Sequence, residues 1–547
     1  MSIPEFIFKN TAPYDDCIAL AVKYHKTYIP ITYRELKRRT HACAQHLISL
    51  GVKPHDRVGI FSENRPEWVI ADLAIQSIGA ITVPIHSVFR PKYVQHCIED
   101  SGIKVLFLSD NHLFEKIHET HKEYPLEKII YFSRNKIFGI DHEKYIFFHD
   151  LLKERRQGNQ EVNTHTPISS DDIATIVYTS GTTGLPKGVM LTHKNIITNI
   201  AAVLKAIPIR QQDTFLSILP LSHIFERTGG YYAPLTAGSS IYYASQYKNI
   251  SSDLITVKPT IILAVPRVFE KAKEKILQKK IVRIVQKLPG GSTIVGLVVR
   301  KRFGGRIRFC VSGGATLDQN VGSFFGSFGI PILEGYGLTE TSPVISCNRI
   351  HKNKYGSCGL PLDNIEVALT ADNELLVKGP SIMKGYYNLP DKTREVFTDD
   401  GFLKTGDFAR LDSDGFIYIT GRKKNIIVLS TGKNVQPEMI ESHLTQNPYI
   451  GHIVVIGDNR KMVTALIVPE FDYCASRGIT DEKTMHHIIQ QEIHALLVDF
   501  PEHEHIKKFT LLQKPFTIED DELTPTLKVK RKIIEERYKN EIDEMYR

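Results

Sequence analysis

A run of hydroxyl, glycine and lysine residues, YTSGTTGLPKGVMLTH from Tyr178 to His193, constrains this chain more than any other stretch. It follows Asp172–Tyr178 (DIATIVY), a β-branched apolar segment with the length of a strand. After such a strand, the hydroxyls and backbone N–H groups of residues 179–184 can converge on phosphate oxygens, and the glycines let the backbone approach closely. Lys187 adds a positive charge. The pattern predicts a strand followed by a phosphate-binding loop.

The loop differs from the P-loop of nucleoside triphosphatases. That motif, G-x-x-x-x-G-K-[ST], ends in a hydroxyl residue, whereas Gly188 follows Lys187 in this chain. The spacing therefore argues against a P-loop enzyme. A surface turn rich in glycine, serine and threonine is the structural alternative, and it explains a lone GTTG better than it explains the whole run.

The same loop resembles the signature of the adenylate-forming superfamily, which contains acyl-CoA synthetases, luciferases and the adenylation domains of peptide synthetases. Further motifs of that superfamily follow in the family order. They are LPLSHIFER (Leu219–Arg227), VSGGATL (Val311–Leu317), EGYGLTE (Glu334–Glu340), TGD (Thr405–Asp407), GRKK (Gly421–Lys424), STGKNVQPE (Ser430–Glu438) and LTPTLKVKRK (Leu523–Lys532). Because these motifs occur in order over nearly the whole chain, chance agreement is negligible.

The resemblance implies a nucleotide site. Residues of the loop would hold the β- and γ-phosphates of ATP: Thr179, Ser180, Gly181, Thr182, Thr183, Gly184 and Lys187. Glu340 would bind magnesium, a hard cation that prefers oxygen ligands, and Thr339 would reach the α-phosphate. The adenine would lie against Gly313, Gly314, Ala315 and Tyr336.

It also implies residues for the ribose and the acid. Asp407 would accept hydrogen bonds from both ribose hydroxyls, with Arg422 beside it, as suits a carboxylate that only accepts. His223 and Phe225 would border the entrance for the carboxylate. Taken alone, an aspartate in TGD is as well explained by a turn, and His223 by a place in the core.

The C-terminal motifs imply the catalytic lysine and the path of the thiol. Lys528 would bridge the carboxylate and the phosphate during adenylation, although KVKRK surrounds it with ordinary basic residues. Lys424 would be a hinge that lets the C-terminal part serve two steps. Gly432 would let pantetheine pass close to the backbone, or it is an ordinary turn glycine.

Three segments most resemble long-chain fatty acyl-CoA synthetases: LPLSHIFER, PRVFEK (Pro266–Lys271) and LTPTLKVKR. Many relatives have a glycine before the motif lysine, where this chain has Leu527. The resemblance implies that ATP, with magnesium, activates a fatty acid to acyl-AMP and that coenzyme A then displaces AMP. Two alternatives stay open, namely an acyl carrier protein as the acceptor and a catalytically inactive acyl-binding scaffold.

Short β-branched runs alternate with helical patterns along the chain. RVGIF (57–61), AITVPI (80–85) and KVLFL (104–108) are typical of strands, and Glu67–Ser77 has the periodicity of a helix. The alternation predicts an α/β fold with parallel sheets wrapped by helices. We expect a large N-terminal body over residues 1–421, with the ATP and acyl sites, and a small mobile α+β domain over residues 422–547 with the catalytic lysine.

Composition agrees with a globular protein, at 42% hydrophobic and 24% charged residues. Seven cysteines without C-x-x-C spacing indicate reduced thiols rather than disulfides or a zinc site. The chain has neither a signal-peptide pattern at its start nor an apolar stretch long enough to span a bilayer, so we expect a cytoplasmic protein. A net charge of +8 favours anionic partners, but nucleic acid is disfavoured because no nucleic-acid-binding motif occurs.

The segment from Lys271 to Arg308 contains twelve Lys or Arg residues and a single acid, Glu274. Apolar residues recur in it at helical spacing, as in a basic amphipathic helix. Our hypothesis is that this segment contacts anionic lipid on the inner face of a membrane, from which it delivers fatty acid, or an acyl carrier protein. The alternative is a helix packed on the body with a solvated basic face.

Overall fold

The computed structural model describes residues 1–25, 27–118, 126–133, 144–152, 167–179, 185–244, 249–277, 291–524 and 527–547. The chain divides into two compact units. The first comprises Met1–Glu366 and Val377–Leu403, and the second comprises Val367–Leu376 and Lys404–Arg547. Lys424 lies inside the second unit of this division. The hinge at that residue, and the domain boundary beside it, stay predictions.

The described residues contain the strands β1 to β26. They are β1 (Ile18–Tyr24), β2 (Thr27–Thr32), β3 (Arg57–Phe61), β4 (Ile81–Ile85), β5 (Val105–Leu108), β6 (Lys128–Tyr131), β7 (Tyr145–Phe147), β8 (Ile173–Thr179), β9 (Lys187–Thr192), β10 (Thr214–Ser217), β11 (Ser240–Tyr243), β12 (Ile261–Ala264), β13 (Phe309–Ser312), β14 (Ile332–Gly337), β15 (Val344–Cys347), β16 (Leu360–Pro361), β17 (Glu366–Leu369), β18 (Glu374–Lys378), β19 (Gly385–Tyr386), β20 (Leu403–Leu411), β21 (Ile417–Arg422), β22 (Ile427–Val428), β23 (Asn434–Val435), β24 (Ile450–Ile456), β25 (Thr464–Pro469) and β26 (Lys508–Leu511).

The described residues also contain the helices α1 to α18. They are α1 (Ile3–Thr11), α2 (Tyr33–Ser49), α3 (Pro66–Ser77), α4 (Pro91–Ser101), α5 (Asn111–His118), α6 (Phe148–Leu151), α7 (His193–Ala206), α8 (Ala233–Thr236), α9 (Ile250–Val257), α10 (Pro266–Leu277), α11 (Gly291–Arg302), α12 (Gln319–Ser327), α13 (Pro390–Val396), α14 (Pro437–Leu444), α15 (Phe471–Ser476), α16 (Glu482–Leu496), α17 (Arg531–Arg537) and α18 (Lys539–Met545), with a π-helix at Glu226–Tyr232.

Local sequence signals set the ends of several helices. α1 begins after Ser2, whose hydroxyl accepts the Glu5 N–H while the Glu5 carboxylate accepts the Ser2 N–H, and α7 begins with the same exchange between Thr192 and Asn195. α4 ends at Gly102, which has φ of 65°. These caps satisfy N–H groups that a helix leaves without an internal partner.

Two sheets with parallel centres form the first unit. One has nine strands in the order β16-β15-β14-β13-β12-β10-β11-β1-β2, and the other has eight in the order β19-β9-β8-β4-β3-β5-β6-β7. The pairings from β14 to β1 and from β8 to β7 are parallel, whereas β2, β15, β16, β9 and β19 pair antiparallel at the edges. The predicted α/β fold is confirmed, and RVGIF, AITVPI and KVLFL contain β3, β4 and β5.

The second unit is smaller and mixes helices with short sheets. Its sheets have the orders β17-β18-β20-β21, β22-β23 and β24-β25-β26. Val455, Ala465 and Ile467 of the last sheet pack with Ile440 of α14 and Ile489 of α16 in a buried core. This is the expected α+β architecture. Its mobility stays a prediction.

Helix α3 is buried on almost all sides, yet two of its buried residues, Asp72 and Gln76, are polar. The Asp72 carboxylate pairs with the Arg227 guanidinium, and neither side chain has any exposed surface. Arg227 also donates to Thr175 Oγ1 at 2.7 Å, and Tyr232 donates its hydroxyl to Asp72 at 2.6 Å. The network joins α3, β8 and the π-helix, because a buried charge is tolerated only with such partners.

The seven cysteines form no disulfide with one another, and six of them are buried. Among the residues described, no helix has the length and apolarity needed to cross a membrane.

Asp72→Asn should lower the free energy of unfolding by about 3–5 kcal/mol, because it leaves the Arg227 guanidinium buried without a counter-charge. Urea unfolding followed by fluorescence measures this directly, since the single tryptophan, Trp68, lies 5.3 Å from the Arg227 guanidinium. Asp16→Asn is the matched control, because its pair with Arg34 at 3.0 Å is exposed and should contribute less than about 1 kcal/mol. Equal urea midpoints for the two variants would contradict the account.

Candidate active site

The predicted phosphate loop connects two strands of a hairpin. β8 and β9 pair antiparallel, and Thr179 lies directly opposite Lys187. The predicted loop residues lie between these two strands in the sequence. Ser180, Gly181, Thr182, Thr183 and Gly184 lie outside the described residues. Their contact with the phosphates stays a prediction, whereas the strand before them is confirmed.

Helix α4 holds both sides of this hairpin. The Tyr178 hydroxyl donates to Asp100 at 2.6 Å, and His96 Nε2 donates to the Pro186 carbonyl at 2.8 Å. Burial, together with the Asp100 carboxylate, raises the pKa of Tyr178 above its ordinary value, so the phenol stays a donor. Gly188 is required by close packing, since a Cβ there would lie 2.7 Å from a methyl of Ile176.

Beside the hairpin, three residues far apart in sequence come together. β19 pairs with β9, and this places the Tyr386 ring 4.3 Å from Lys187 Nζ. The Tyr386 hydroxyl donates to Glu340 Oε1 at 2.8 Å. Burial, with the Glu340 charge, raises the pKa of Tyr386 above its ordinary value. The predicted phosphate lysine and the predicted magnesium carboxylate therefore share one tyrosine as a neighbour.

The turn that carries Glu340 has a fixed backbone shape. At Gly337 a Cβ would lie 1.8 Å from the Pro343 carbonyl oxygen, so only glycine fits. Thr339 and Glu340 follow in a single 3-10 turn, and the Met383 N–H donates to the Glu340 carbonyl at 2.8 Å. Tyr336 lies one strand position before Gly337, opposite Ser346 of β15. The motif thus places its functional side chains at the end of β14.

The predicted adenine and carboxylate motifs meet at Gly313, which follows β13. The Phe225 ring lies so close that a Cβ at Gly313 would be 3.0 Å from it. Gly314 has φ of 85°, the left-handed region that favours glycine, and Ala315 follows it. Because Phe225 covers Gly313, the two motifs are in direct contact, and their shared role in one binding site stays a prediction.

Asn64, which follows β3, fixes the segment Leu219–Ser222 before the π-helix. Its side-chain amide donates to Ser217 Oγ at 3.0 Å and to the Leu219 carbonyl at 2.5 Å, and its oxygen accepts the Leu221 N–H at 2.8 Å. The segment therefore has little freedom. At its end, the Phe225 N–H donates to His223 Nδ1 at 3.2 Å, so neutral His223 carries its proton on Nε2.

A second histidine faces this region. His86 follows β4, and its Nδ1 lies 3.1 Å from Ser222 Oγ, while its Nε2 is buried without a hydrogen-bond partner among the described residues. Burial, and next the neighbouring His223, lower the pKa of His86 to about 3. His86 is therefore neutral at physiological pH, and it can offer either a donor or an acceptor without a charge.

Glu226 is a fully buried acid in the π-helix. Ser217 Oγ donates to its Oε1 at 2.6 Å, and its Oε2 has no partner in the part of the chain that the structure describes. Burial raises the pKa of Glu226 to about 8, and the Ser217 hydrogen bond opposes this only in part. The carboxyl lies over Gly230, where a Cβ would be 2.5 Å from the carboxyl carbon.

The second unit contains its own group of predicted residues. Asp407 and Arg422 are partners across β20 and β21, and Arg422 Nε lies 2.9 Å from Asp407 Oδ1. The Asp407 side chain is 3% exposed, and Thr405 Oγ1 accepts its backbone N–H at 3.1 Å. The carboxylate is thus oriented by a fixed backbone and a cation, as a site for two hydroxyl donors requires.

The turn that carries Lys528 is closed on both sides. The Thr524 N–H donates to the Lys528 carbonyl at 2.7 Å, and the Lys528 N–H donates to Thr524 Oγ1 at 3.0 Å. Leu527 has φ of 61°, the left-handed conformation that glycine adopts most easily. The departure from the family glycine therefore keeps the turn, at a cost of about 1–2 kcal/mol in backbone energy.

Lys528 differs from the basic residues around it. Lys530 pairs with Asp521 at 2.5 Å and Arg531 pairs with Glu441 at 2.5 Å, so both stabilise the fold. The Arg422 charge, followed by partial loss of solvent, lowers the pKa of Lys528 to about 8, although the side chain keeps an exposed surface.

The remaining predicted residues lie on the surface of the second unit. Lys424 is exposed in a 3-10 turn, and Gly432 occupies the hairpin turn between β22 and β23 with φ of 78°. Apart from its two chain neighbours, no atom of the described residues lies within 4 Å of the position that a Cβ at Gly432 would take. The backbone at Gly432 is therefore open to a close approach, which agrees with the predicted role without testing it.

Comparison with known protein families identifies the chain. The family described as AMP-binding enzyme matches residues 9–387, and the AMP-binding enzyme C-terminal domain matches residues 424–547. The chain belongs to the AMP-binding enzyme family.

Relatives of this AMP-binding enzyme match its full length. Long-chain-fatty-acid–CoA ligase FadD15 of Mycobacterium bovis is 33% identical over an alignment 596 residues long, gaps included, which covers 100% of this chain and 97% of the relative. Long chain acyl-CoA synthetase 7, peroxisomal, of Arabidopsis thaliana is 31% identical, with 95% of this chain and 82% of the relative covered. The long-chain-fatty-acid–acyl-carrier-protein ligase AEE15 of Arabidopsis thaliana is 28% identical, with 100% and 86% covered.

Solved structures share the fold. The anthranilate CoA ligase AuaEII in complex with anthranoyl-AMP superposes with a TM-score of 0.82 at 21% identity, covering 99% of this chain and 98% of that one. The adenylation domain of a carboxylic acid reductase from Segniliparus rugosus, with AMP and a co-purified carboxylic acid, gives 0.85 at 21% identity, covering 100% and 94%. At this identity the likeness concerns the fold alone.

Four residues of the AMP-binding enzyme that contact its motif segments were not predicted from the sequence. They are Asn64, Asp72, His86 and Tyr386. Asn64 and His86 each follow a strand of a parallel sheet, a position where ligands commonly bind, so the strand pattern contained a usable signal. Asp72 resembles any polar residue of a helix, and Tyr386 acquires its role only from the pairing of β19 with β9.

Glu226→Gln should make stability less dependent on pH. Between the ordinary glutamate value of 4.5 and about 8, folded wild-type protein binds a proton at Glu226 that the unfolded chain releases. The free energy of unfolding therefore falls as pH rises through this window, by an amount on the order of a few kcal/mol. Glutamine keeps the neutral shape, so thermal unfolding midpoints of the variant should fall less from pH 5 to pH 8.

The control for Glu226→Gln is Glu115→Gln, which changes an exposed carboxylate on α5. It should follow the wild-type pH curve. A curve for Glu226→Gln that also follows the wild type would show that the buried carboxyl does not titrate with a raised pKa.

Proposed function

We propose that this AMP-binding enzyme activates a long-chain fatty acid with ATP and transfers the acyl group to coenzyme A. In the first step a carboxylate oxygen attacks the α-phosphorus of ATP, which gives acyl-AMP and pyrophosphate. In the second step the thiol of coenzyme A attacks the acyl carbon, which releases AMP and a proton. Relatives named long-chain-fatty-acid–CoA ligases match the whole chain, and this supports the substrate class.

The observation that carries the proposal is the meeting of Lys187, Tyr386 and Glu340 beside the hairpin. Step one brings an anionic acid to a polyanion, so the site must supply positive charge and fixed geometry. Lys187 supplies the charge next to the loop of hydroxyls and glycines. Because Tyr386 holds Glu340 by a hydrogen bond, the carboxylate keeps one orientation beside the phosphates.

The residues fit magnesium, which the reaction class requires. Magnesium is usually held by one or two carboxylates together with substrate phosphates, rather than by a cage of protein ligands. Glu340 is such a carboxylate, and no cluster of three or more metal-ligating side chains occurs among the described residues. When bound by Glu340, the ion would neutralise phosphate charge. The hydrogen bond from Tyr386 to Oε1 would keep the Glu340 carboxylate in a fixed orientation toward the ion.

The first unit also contains the groups that are proposed to contact the adenine ring of ATP and the carboxylate of the fatty acid. Gly314 leaves room for a flat ring, since a Cβ there would meet only a methyl of Val265 at 3.8 Å, and Tyr336 lies at the end of the neighbouring strand. The proposed carboxylate entrance is bordered by Phe225 and His223. His223 can donate from Nε2 to an incoming carboxylate oxygen, since its Nδ1 already accepts a backbone N–H.

In the second unit, Asp407 is the proposed acceptor for the ribose hydroxyls, and Lys528 is the proposed catalytic cation. The Lys530 and Arg531 pairs support this assignment, because they remove two neighbouring cations as competitors. Lys424 as a hinge would allow Lys528 to serve adenylation and the Gly432 turn to serve thiol transfer, as the family resemblance implies.

An acyl carrier protein is the second candidate for the acceptor. The relative AEE15, a ligase that acts on acyl carrier protein, covers the whole chain, but relatives named for coenzyme A include the first two matches. The adenylation step is the same for both acceptors. Incubation of the enzyme with acid, ATP and each thiol in turn, followed by mass spectrometry of the product, separates them.

Lys528→Ala should reduce adenylation by about 100-fold or more, because a charge aimed at the reacting oxygens is lost. Thioester formation from supplied acyl-AMP and coenzyme A should keep most of its rate. Pyrophosphate exchange measures the first step, and release of AMP from acyl-AMP measures the second. Lys532→Ala, which removes an exposed cation from the same segment, is the control and should leave both rates unchanged. Equal loss of both steps in Lys528→Ala would refute the assignment.

Tyr386→Phe should raise the magnesium concentration for half-maximal pyrophosphate exchange by about tenfold. The variant keeps the ring beside Lys187 but removes the hydrogen bond to Glu340 Oε1, and bonds to charged groups contribute about 1.5–3 kcal/mol. Tyr387→Phe removes the adjacent hydroxyl and should behave as the wild type. An unchanged magnesium dependence in Tyr386→Phe would show that the hydroxyl does not position the carboxylate.

A further inference from the structure

Helix α11 is fixed to the first unit by one face. Val295 and Val299 are buried in a cluster with Phe303 and Phe328, and Gly296 lets the helix approach Phe328 closely. Arg300 anchors the same side, because it donates to the carbonyls of Gly329 at 2.6 Å and Ile307 at 3.1 Å. The opposite face therefore has a defined orientation toward solvent.

That opposite face is apolar over its first half. Ile294, Leu297 and Val298 are 57%, 66% and 48% exposed. Their spacing of three and four residues places them on one stripe of the helix. A single exposed apolar side chain is ordinary, but three on one stripe leave a contiguous apolar surface that water solvates poorly.

The same face is basic over its second half. Lys301 and Arg302 continue the stripe one helical turn later, and both are exposed. Arg306 and Lys258 are exposed nearby, because Gly304 packs so closely on the end of α9 that a Cβ there would lie 2.6 Å from the Lys258 Cα. Within the described ranges, no acidic side chain forms an ion pair with any of these four cations.

We propose that this face of α11, with the cations that follow it, binds the surface of a bilayer that contains anionic lipid. Apolar side chains enter the boundary between headgroups and acyl chains, and cations beside them contact lipid phosphates. The four cations favour an anionic bilayer over a second copy of this chain, because in a symmetric dimer the same cations would face each other and repel. The proposal deepens the proposed function, because long-chain fatty acids partition into membranes.

The basic amphipathic segment expected from the sequence contains the end of α10 and all of α11, and its contact with lipid or a carrier protein stays a prediction. Residues 278–290 of that segment lie outside the described residues. The apolar residues that carry the proposal, Ile294, Leu297 and Val298, lie beyond the residues at helical spacing that the sequence pattern indicates, namely Leu277, Ile281, Ile284, Val285 and Leu288.

Co-sedimentation of the full-length enzyme with vesicles tests the proposal. Vesicles of phosphatidylcholine with phosphatidylglycerol should bind the wild type, and vesicles of phosphatidylcholine alone should bind it weakly. Lys301→Ala/Arg302→Ala should weaken binding about 25-fold, at about fivefold for each charge. Ile294→Gln/Leu297→Gln/Val298→Gln should weaken it at least about tenfold, and glutamine maintains the helix.

Matched controls change equally exposed residues elsewhere. Val498→Gln replaces an apolar side chain that is 67% exposed in the second unit, and Lys9→Ala/Lys37→Ala removes two exposed cations from other helices of the first unit. Both should bind vesicles as the wild type does. Equal loss in the controls and the face variants, or no loss in the face variants, overturns the proposal. So does a wild-type dimer that the triple glutamine variant dissociates.

Pyrophosphate exchange with fatty acid in detergent micelles separates this proposal from the proposed function. There the face variants should match the wild type, because the membrane is absent. Reduced exchange in micelles would mean that the variants damage the site rather than a docking surface, and it would overturn the proposal. No exchange by the wild type, with vesicle binding that still depends on α11, would reject the function and retain the surface.

Discussion

A guanidinium with no exposed surface lies in the first unit, and the position of the motif that ends at it, Leu219–Arg227, depends on its partners. Arg227 is stable there because it pairs with Asp72, donates to Thr175 and lies against the faces of Trp68 and Tyr232. Removal of such a charge from water costs several kcal/mol unless every partner is in place. The buried pair therefore couples α3, β8 and the π-helix, and none of them can shift without exposing or orphaning a charge.

The active-site geometry follows from that coupling. Two residues before Arg227, Phe225 covers Gly313, and one residue after it, the Thr228 hydroxyl donates to the Ser342 carbonyl at 3.1 Å, beside the turn of Glu340. Asn64, His86, Gly313 and Glu340 each follow a strand that pairs in the parallel part of a sheet. Ligands of open α/β sheets bind at these carboxyl ends, where loops from neighbouring strands meet. A single buried network thus aligns motifs that the chain order separates.

Much of the fold and of the candidate site could be predicted from the sequence, for physical reasons. The runs that became β3, β4 and β5 are apolar and β-branched because both faces of a parallel sheet are buried. The motif residues were found by resemblance, which carries spatial information that composition lacks. Tyr386 could not be found, because its role arises from a strand pairing with no local signal. Leu527 could not be interpreted from sequence either, because it adopts the left-handed conformation at a position where many relatives have glycine. For Ser180–Gly184 and the hinge at Lys424, the sequence remains the basis of the assignment.

The central claim is that this site joins a long-chain carboxylate to AMP. The most direct measurement is ATP–pyrophosphate exchange with magnesium across a series of carboxylates from acetate to stearate, since it reports adenylation whichever thiol is the acceptor. The account predicts exchange that rises with chain length and is greatest among the long-chain acids. Exchange with none of the acids would contradict it, and the chain would then be an acyl-binding protein with an intact but inactive site.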